Sequence, residues 1–318
     1  MLTVVDLRVE YKKNPLGMDE KRPRFFYRLE GDSVGQSSRC IVVTAEDGTE
    51  VWNSGWVDDC STIQIEYQGL LLKKFTRYHW KVRVKDEYGK LSAWSREKAF
   101  FETGFQDTPW SAKWISGLIP SDTSPARRFY RDFTPRAKVV KARCYATALG
   151  VYEARINGKK ITEDCLTPGF PDFYHRTLYQ AYDVTSLIKK GANRLSALLA
   201  DGWYSGRITR HWSKGATTYG DVPVLMAELH LTYEDGSSEI LVTDDSWYAI
   251  GATQAELNSI HISDIYAGET FRQEIHGDRW MLPGAPDDPN ARPVKVHEES
   301  EFAHIDVEWQ TGAPISYA

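Results

Sequence analysis

Apolar and polar residues alternate through most of this chain in short runs, and each run ends at Gly, Pro, Asn or Asp. The clearest run extends from Arg77 to Val84 and places Tyr78, Trp80 and Val82 on one face together with Val84. A period of two residues is typical of a β-strand with one buried face. Helical periodicity never continues for more than about two turns. The chain is therefore predicted to be all-β.

Residues 1–104 are predicted to form a first domain. They contain about seven short strand-like runs separated by turn signals, which describes a small antiparallel sandwich. The last hairpin runs from Trp80 to Val84, turns at Gly89 and continues with Ser92 and Trp94-Ser95. This order of residues resembles the last hairpin of a fibronectin type III module. The first domain is thus expected to be a fibronectin type III-like sandwich.

Residues 105–285 are predicted to form a larger β-domain, a jelly-roll sandwich. Val151 to Ile156 alternate up to Asn157-Gly158, a pair that favours a tight hairpin turn with two positive φ angles. Arg194 to Ala200 is a nearly continuous apolar run, which suits a strand buried on both faces. Residues 286–318 are rich in proline and turn formers, so they are predicted to be a linker toward a further domain.

Charge and hydropathy limit the partners that this chain is expected to have. The formal net charge is −5, the pI is about 5.9 and the mean hydropathy is −0.47. An acidic chain without a basic surplus does not predict binding to nucleic acid, and no apolar run is long enough to span a membrane. The first residues, Met1 to Asp6, lack the pattern of a signal peptide, so a cytoplasmic location is expected.

The sequence contains none of the common motifs that identify a catalytic centre. There is no nucleophile elbow, zinc-protease helix, phosphate loop or dinucleotide fingerprint. Acidic pairs occur at Asp58-Asp59, Asp244-Asp245 and Asp287-Asp288. Glycoside hydrolysis requires two facing carboxylates, whereas these pairs lie in predicted turns. The four cysteines have no metal-binding spacing, so zinc is not predicted. No catalytic residue is assigned.

A series of motifs resembles the N-terminal region of bacterial α-L-rhamnosidases of glycoside hydrolase family 78, over nearly the whole chain. The motifs are Asn14-Pro15-Leu16-Gly17, Trp52-Asn53-Ser54-Gly55, Asn157-Gly158, Pro168-Gly169-Phe170, Tyr179 to Thr185, Asp201 to Gly206, Asp235-Gly236, Asp264-Ile265-Tyr266, Gly268-Glu269 and Trp280-x-x-Pro-Gly. They occur in the order of the family. The resemblance implies a longer enzyme whose catalytic residues lie in an (α/α)6 barrel after further β-domains. This chain is then expected to be an N-terminal fragment that lacks those catalytic domains.

The resemblance also implies a binding role, because in some relatives the accessory β region binds L-rhamnose with a calcium ion. Calcium is accordingly the cofactor that the resemblance suggests, without an assignment of its ligands. Rhamnose-containing glycans or glycosides are the expected ligands. A candidate sugar site is placed around the loop that begins at Asp201. Its members are Asn157, Asp201, Trp203, Tyr204, Asp264 and Glu269.

Physical chemistry supports this choice of residues, and a structural alternative stays open for two of them. An exposed indole can cover the apolar side of a deoxy sugar, and carboxylates and an amide can hold ring hydroxyls directly or through calcium, which prefers oxygen ligands. Equally, Trp203 could close the open end of the sandwich, and Asn157 could serve its turn alone. Two alternatives to an accessory domain of a rhamnosidase are a stand-alone carbohydrate-binding or adhesion module without hydrolase activity, and a pair of structural spacers.

Overall fold

A computed structural model describes residues 2–96, 98–117, 125–206, 219–251, 259–266, 268–272, 277–285 and 288–316. The chain divides into two compact units, Met1–Pro109 and Trp110–Ala318. Both are built from β-strands, so the prediction of an all-β chain with a fibronectin type III-like sandwich followed by a jelly-roll sandwich is confirmed. Within the described residues, no helix has the length and apolar character needed to cross a bilayer.

The first unit is a sandwich of two antiparallel sheets. One sheet has the strand order β1-β2-β6, and the other has the order β4-β3-β7-β8 with β5 paired to β3. The strands are β1 (Thr3–Val9), β2 (Arg24–Glu30), β3 (Gln36–Ala45), β4 (Glu50–Asn53), β5 (Val57–Asp58), β6 (Ile65–Glu66), β7 (Arg77–Asp86) and β8 (Ala99–Glu102).

The core of the first unit follows from the alternation in β7. Tyr78, Trp80 and Val82 are buried, and the residues between them face outward. The ring of Phe25, from the opposite sheet, meets that of Trp80 edge-on at 4.7 Å. Aromatic pairs of this kind add about 0.5–1.5 kcal/mol to the free energy gained from burial. One face of β7 therefore holds the two sheets together, which leaves its other face for solvent.

The end of the first unit lies a few residues beyond the predicted boundary at Gly104. Phe105 is buried and its ring packs edge-on against Phe75 at 5.1 Å. The backbone N–H of Gln106 donates to Asp19 Oδ1. These contacts fix residues that the sequence places in a polar connector, because the apolar anchor is a single side chain and leaves no periodic signal.

The second unit contains a six-stranded sheet, β13-β12-β16-β10-β19-β22, and a seven-stranded sheet, β23-β9-β17-β11-β15-β24 with β18 paired to β17. The second unit also contains two small sheets, β14-β25 and β20-β21. The strands are β9 (Ile115–Ser116), β10 (Arg127–Phe133), β11 (Val139–Leu149), β12 (Val151–Ile156), β13 (Lys159–Lys160), β14 (Asp164–Cys165), β15 (Arg176–Asp183), β16 (Asn193–Ala200), β17 (Val224–Tyr233), β18 (Ser238–Val242), β19 (Tyr248–Ile250), β20 (Ile260–Asp264), β21 (Gly268–Phe271), β22 (Ala291–Pro293), β23 (Lys295–Val296), β24 (Asp306–Trp309) and β25 (Ile315–Ser316). Short 3-10 turns lie at Thr185–Leu187, Asp278–Met281 and Glu299–Glu301.

The two large sheets of the second unit enclose its main core. Alternate residues of β11, β12, β16 and β17 point into it, among them Cys144, Ile156 and Leu199. The other face of β17 contributes Val224 and Met226 to a second apolar cluster. Strand β16 is buried along most of its length on both faces, as its apolar run predicts. The seven-stranded sheet thus has apolar clusters on both sides, and the second cluster supports the candidate site.

The structure differs from the linker that the sequence predicts for residues 286–318. Strand β22 pairs with β19, β23 pairs with β9, and β24 runs parallel to β15. Trp309, at the end of β24, is 7% exposed. These strands are two to four residues long. Such lengths are too short for alternation to be recognised, and proline is tolerated at sheet edges, so turn-rich composition concealed them.

Candidate functional site

The loop Asp201–Gly206 follows directly from β16 and folds back on itself. Gly202 has φ +54°, and a Cβ at this position would lie 2.4 Å from Val151 Cγ2. A Cβ at Gly206 would lie 2.0 Å from the carbonyl oxygen of Gly202. The backbone N–H of Ser205 donates to the carbonyl oxygen of Asp201. Gly202 is therefore required by its positive φ and by the packing of Val151, and Gly206 by the backbone of Gly202. The turn between the two glycines fixes the two aromatic residues.

Trp203 is half-buried and lies against another aromatic residue. Its indole stacks on the ring of Phe170, with centroids 5.2 Å apart and planes at 11°. Phe170 is 54% exposed. The stacking covers part of the indole face on which a sugar was expected to bind. Phe170 is therefore the more accessible ring of this pair.

Tyr204 faces inward and belongs to the second apolar cluster. It is 7% exposed and meets Phe173 edge-on at 5.5 Å. Its hydroxyl lies against Gly220, where a Cβ would come within 2.2 Å of it. Burial, and secondarily the negative charge of Asp221, raise the pKa of the Tyr204 hydroxyl. Tyr204 therefore supports the loop from below and is placed away from solvent.

A second aromatic pair includes Tyr174, which lies in the same turn-rich segment as Phe170. Tyr174 is 55% exposed, and its ring lies 4.6 Å from that of Tyr219. Tyr219 also packs against Phe173, and its backbone N–H donates to the carbonyl oxygen of Tyr204. We call the four residues at the surface the aromatic surface. They are Phe170, Tyr174, Trp203 and Tyr219.

Asp201 is engaged inside the protein. Its Oδ1 accepts a hydrogen bond from Arg127 Nη1 at 3.0 Å, and both side chains are almost completely buried. A buried ion pair of this kind stabilises each charge only in the presence of the other. Asp201 thus holds the start of the loop to β10, and its charge is compensated within the fold.

The two acidic residues of the β20–β21 hairpin lie on opposite sides of it. Asp264 is 8% exposed, and its Oδ2 would lie 3.5 Å from a Cβ at Gly206, so it borders the loop. Glu269 is exposed and pairs across the hairpin with Ser263. Neighbouring positions of a strand face opposite ways. Asp264 therefore belongs beside the loop, and Glu269 faces away from Asp264.

Asn157 lies at the far end of the sheet. Its backbone N–H donates to the carbonyl oxygen of Arg194, at the beginning of β16, whereas Asp201 follows the end of that strand. At a rise of about 3.3 Å per residue, the two sites are about 23 Å apart. The Asn157 amide donates to Asn193 Oδ1 at 2.8 Å and to the Leu187 carbonyl oxygen at 3.0 Å. Asn157, with φ +54°, thus serves the predicted hairpin turn and is not brought together with the loop.

The predicted oxygen ligands do not fit a calcium site. Calcium takes about six to eight oxygen ligands, with more than one carboxylate in most sites. Asp201 is paired with Arg127, Asp264 Oδ1 accepts the N–H of Tyr266, and Asn157 is remote. Among the described residues, no three His, Cys, Asp or Glu side chains form a group that could hold a metal ion. We derive no calcium-dependent step from these residues.

A Ser–His–Glu relay is present that the sequence does not reveal. Ser116 Oγ lies 2.8 Å from His297 Nε2, and His297 Nδ1 lies 2.8 Å from Glu301 Oε2. The pattern resembles the constellation of serine hydrolases, but Ser116 is 1% exposed, so its hydroxyl is closed to a substrate. The relay joins β9 to the segment after β23. Its role in the fold is to anchor the C-terminal strands.

Phe170, Tyr174 and Tyr219 are the residues of the aromatic surface that sequence reasoning missed. A signal was available for the first two, since both lie in the turn-rich segment around Pro168-Gly169 and Pro171-Asp172. Turn segments run over the protein surface, so aromatic residues within them are exposed more often than those in strands. No periodicity marks Tyr219.

Comparisons with known proteins agree with this architecture. Residues 137–316 match the family model described as the alpha-L-rhamnosidase N-terminal domain, and residues 4–107 match a Rha78A-like, N-terminal immunoglobulin domain. An alpha-L-rhamnosidase of Formosa agariphila is 31% identical over 301 residues, which cover 89% of this chain and 32% of that protein. An alpha-L-rhamnosidase of Alteromonas sp. is 33% identical over 292 residues, which cover 86% of this chain and 31% of that protein.

A solved structure shows the same fold. The crystal structure of Streptomyces avermitilis alpha-L-rhamnosidase complexed with L-rhamnose matches with a TM-score of 0.89 and 24% identity, over 100% of this chain and 47% of that one. This likeness concerns the fold alone. The chain spans about a third of the length of the curated relatives it matches.

Proposed function

This chain belongs to the α-L-rhamnosidase family, and we propose that it is a non-catalytic, carbohydrate-binding N-terminal region of an enzyme that hydrolyses terminal α-L-rhamnosyl linkages. The family match covers residues 137–316 of the second unit, and the relatives carry their remaining two thirds outside the matched region. The main support for the accessory role is the aromatic surface beside the Asp201–Gly206 loop.

The aromatic surface has the chemistry that a deoxy sugar requires. L-rhamnose carries a methyl group at C6, and its apolar side can lie against aromatic rings that are held in place. Phe170 and Tyr174 are more than half exposed. Trp203 and Tyr219 are half-buried and fix them by ring contacts. Rings that are already ordered lose little conformational freedom on binding, which favours affinity.

Titration calorimetry with L-rhamnose tests this proposal. We expect saturable binding to the chain that is the same with calcium and with a chelator, because the predicted residues do not form a calcium site. Phe170→Ala and Trp203→Ala should each weaken binding about 3- to 10-fold, as expected for the loss of an aromatic contact of about 0.5–1.5 kcal/mol.

Tyr248→Ala is the matched control for these two variants. Tyr248 is 44% exposed and stacks on the buried Tyr130 at 5.7 Å, so the substitution also removes an exposed ring that stacks on a neighbour, but on β19. Its affinity for L-rhamnose should remain that of the unchanged chain. The proposed sugar site would be rejected if L-rhamnose did not bind either with calcium or with a chelator, or if all three substitutions had equal effects. The unit would then be interpreted as a structural spacer.

The isolated chain is expected not to release nitrophenol from an aryl α-L-rhamnoside. Inverting and retaining glycosidases need two carboxyl groups facing a substrate. Asp59 accepts the N–H of Ser61 in its own turn and pairs with Arg39, and Asp244 accepts the N–H of Ser246 and pairs with Arg131. Asp287 of the third predicted pair lies outside the described residues. The expectation would be contradicted if the isolated chain hydrolysed the substrate and a substitution within residues 2–316 abolished that activity.

A stand-alone carbohydrate-binding or adhesion module remains the second candidate. Both candidates predict rhamnose binding by this chain. The gene distinguishes them. If the chain is part of the enzyme, the reading frame must continue into a helical barrel with catalytic carboxylates.

A further inference from the structure

The outer face of β7 carries a row of basic side chains. Every second residue of this strand faces away from the core, and each of these positions is occupied by a basic residue. They are Arg77, His79, Lys81, Arg83 and Lys85. At a rise of about 3.4 Å per residue, the row is about 27 Å long. The chain has a net charge of −5, so this row is a basic region on an otherwise acidic protein.

Indole rings alternate with the cations along this row. Lys85 Nζ lies 4.4 Å from the ring centre of Trp56, and Arg83 Cζ lies 5.1 Å from the same ring. On its other side, Arg83 Cζ lies 4.4 Å from the ring of Trp94, which Lys81 Nζ also approaches to 4.7 Å. Each of these distances is within the range of a cation–π interaction. We call these five residues the cation–indole ladder.

The ladder is ordered by the backbone around it. Ser92 and Ser95 accept the N–H groups of Val84 and Val82 through their hydroxyl oxygens, and their own N–H groups donate to the carbonyl oxygens of the same two residues. These bonds attach the segment that carries Trp94 to the edge of β7. Arg83 Nε is buried without a hydrogen-bond partner, since its guanidinium lies between two rings. The cations are therefore held in place before any ligand arrives.

The charges of the ladder are not compensated within the described residues. Arg77, at the start of the row, pairs with Glu102 at 3.2 Å. Lys81, Arg83 and Lys85 have no carboxylate within ion-pair distance in the part of the chain that the structure describes. Ordered cations without counter-charges offer a ligand a favourable potential at a low entropic cost.

We propose that the cation–indole ladder binds an anionic polysaccharide, that is, a glycan chain bearing carboxylate or sulfate groups. An extended row suits a linear ligand better than a globular one, and the exposed edges of the indoles suit sugar rings between the charges. Charges on alternate strand residues are spaced about 6.8 Å apart, whereas duplex DNA carries one charge per about 1.7 Å. The sparser charge of an acidic glycan therefore fits the row better.

Polygalacturonate binding, measured by biolayer interferometry on the complete chain, is the direct test. We expect binding at low salt that weakens as salt is added, and no binding of neutral dextran. The double variant Lys81→Glu/Lys85→Glu should weaken binding at least 10-fold. Lys189→Glu/Lys190→Glu is the matched control, since both lysines are exposed in the second unit and the net charge changes by the same amount.

The outcomes separate this proposal from its alternatives. The control variant should bind as the unchanged chain does, and both variants should keep the thermal midpoint of the first unit to within a few degrees. No binding of polygalacturonate, an equal loss in both variants, or tighter binding of single-stranded DNA than of polygalacturonate would overturn the proposal. Since the ladder lies in the first unit, its failure leaves L-rhamnose binding by the second unit unaffected.

Discussion

Glu228→Ala is expected to lower the free energy of unfolding of the second unit by about 3–5 kcal/mol, the usual cost of removing one partner from a buried charged network. Glu228 is 1% exposed on β17. Its Oε1 accepts the backbone N–H groups of Ser111 and Ala112, and its Oε2 lies 2.6 Å from His230 Nε2. Alanine leaves the N–H groups of Ser111 and of the buried Ala112 without this acceptor and allows the first residues of the unit to detach from the sheet.

Glu228→Gln is the control for this substitution. Glutamine retains a carbonyl oxygen for Ser111 and Ala112 but loses the charge that faces His230. A smaller loss of about 1–2 kcal/mol is expected, because hydrogen bonds to a neutral acceptor replace charge-assisted ones. Calorimetric unfolding of the complete chain, with the transition of the second unit resolved, measures both. Equal losses for alanine and glutamine would mean that the backbone contacts contribute little.

Gly206→Ala is expected to rearrange the Asp201–Gly206 loop and to destabilise the second unit by about 2–4 kcal/mol, as for other substitutions that force a steric clash. The new Cβ would meet the carbonyl oxygen of Gly202 at 2.0 Å. A backbone atom cannot move aside as a flexible side chain does. The loop must therefore open, which separates Trp203 from Phe170.

Gly191→Ala provides the comparison for this second prediction. Gly191 also lies in a turn of the second unit, and a Cβ there would meet nothing within 4 Å. The thermal midpoint and tryptophan emission of the Gly191→Ala variant should match those of the unchanged chain. Gly206→Ala should show red-shifted emission from a more exposed Trp203 and a lower midpoint. Normal emission and stability in Gly206→Ala would show that the loop tolerates a side chain.

The strands with long, regular patterns were predictable from sequence. β7 alternates from Arg77 to Val84, and β16 presents an apolar run that matches burial on both faces. The turn at Asn157-Gly158 followed from the need for two positive φ angles, which the structure has at +54° and +81°. These features depend on residues that are close together in the chain, so the local sequence is enough to predict them.

The site was less predictable because it depends on contacts between distant segments. The loop at Asp201–Gly206 was identified, but the stacking of Phe170 on Trp203 and the pairing of Asp201 with Arg127 arise from the fold. Asn157 was assigned to the same site as Asp201, although β16 separates them. The C-terminal strands were missed for a similar reason, since strands of two to four residues are defined by their partners.

The pairing of the C-terminal strands has a consequence for the order of events during synthesis. Ile115 of β9 pairs with Val296 of β23, and β15 receives its parallel neighbour β24 at residues 306–309. Contacts between such distant positions form late, because a long loop must close before they stabilise anything. The β15 edge of the seven-stranded sheet thus remains open until residues 306–309 have left the ribosome. The first unit, complete by Pro109, can fold well before then, so the nascent second unit is the species that exposes unpaired strand edges to chaperones.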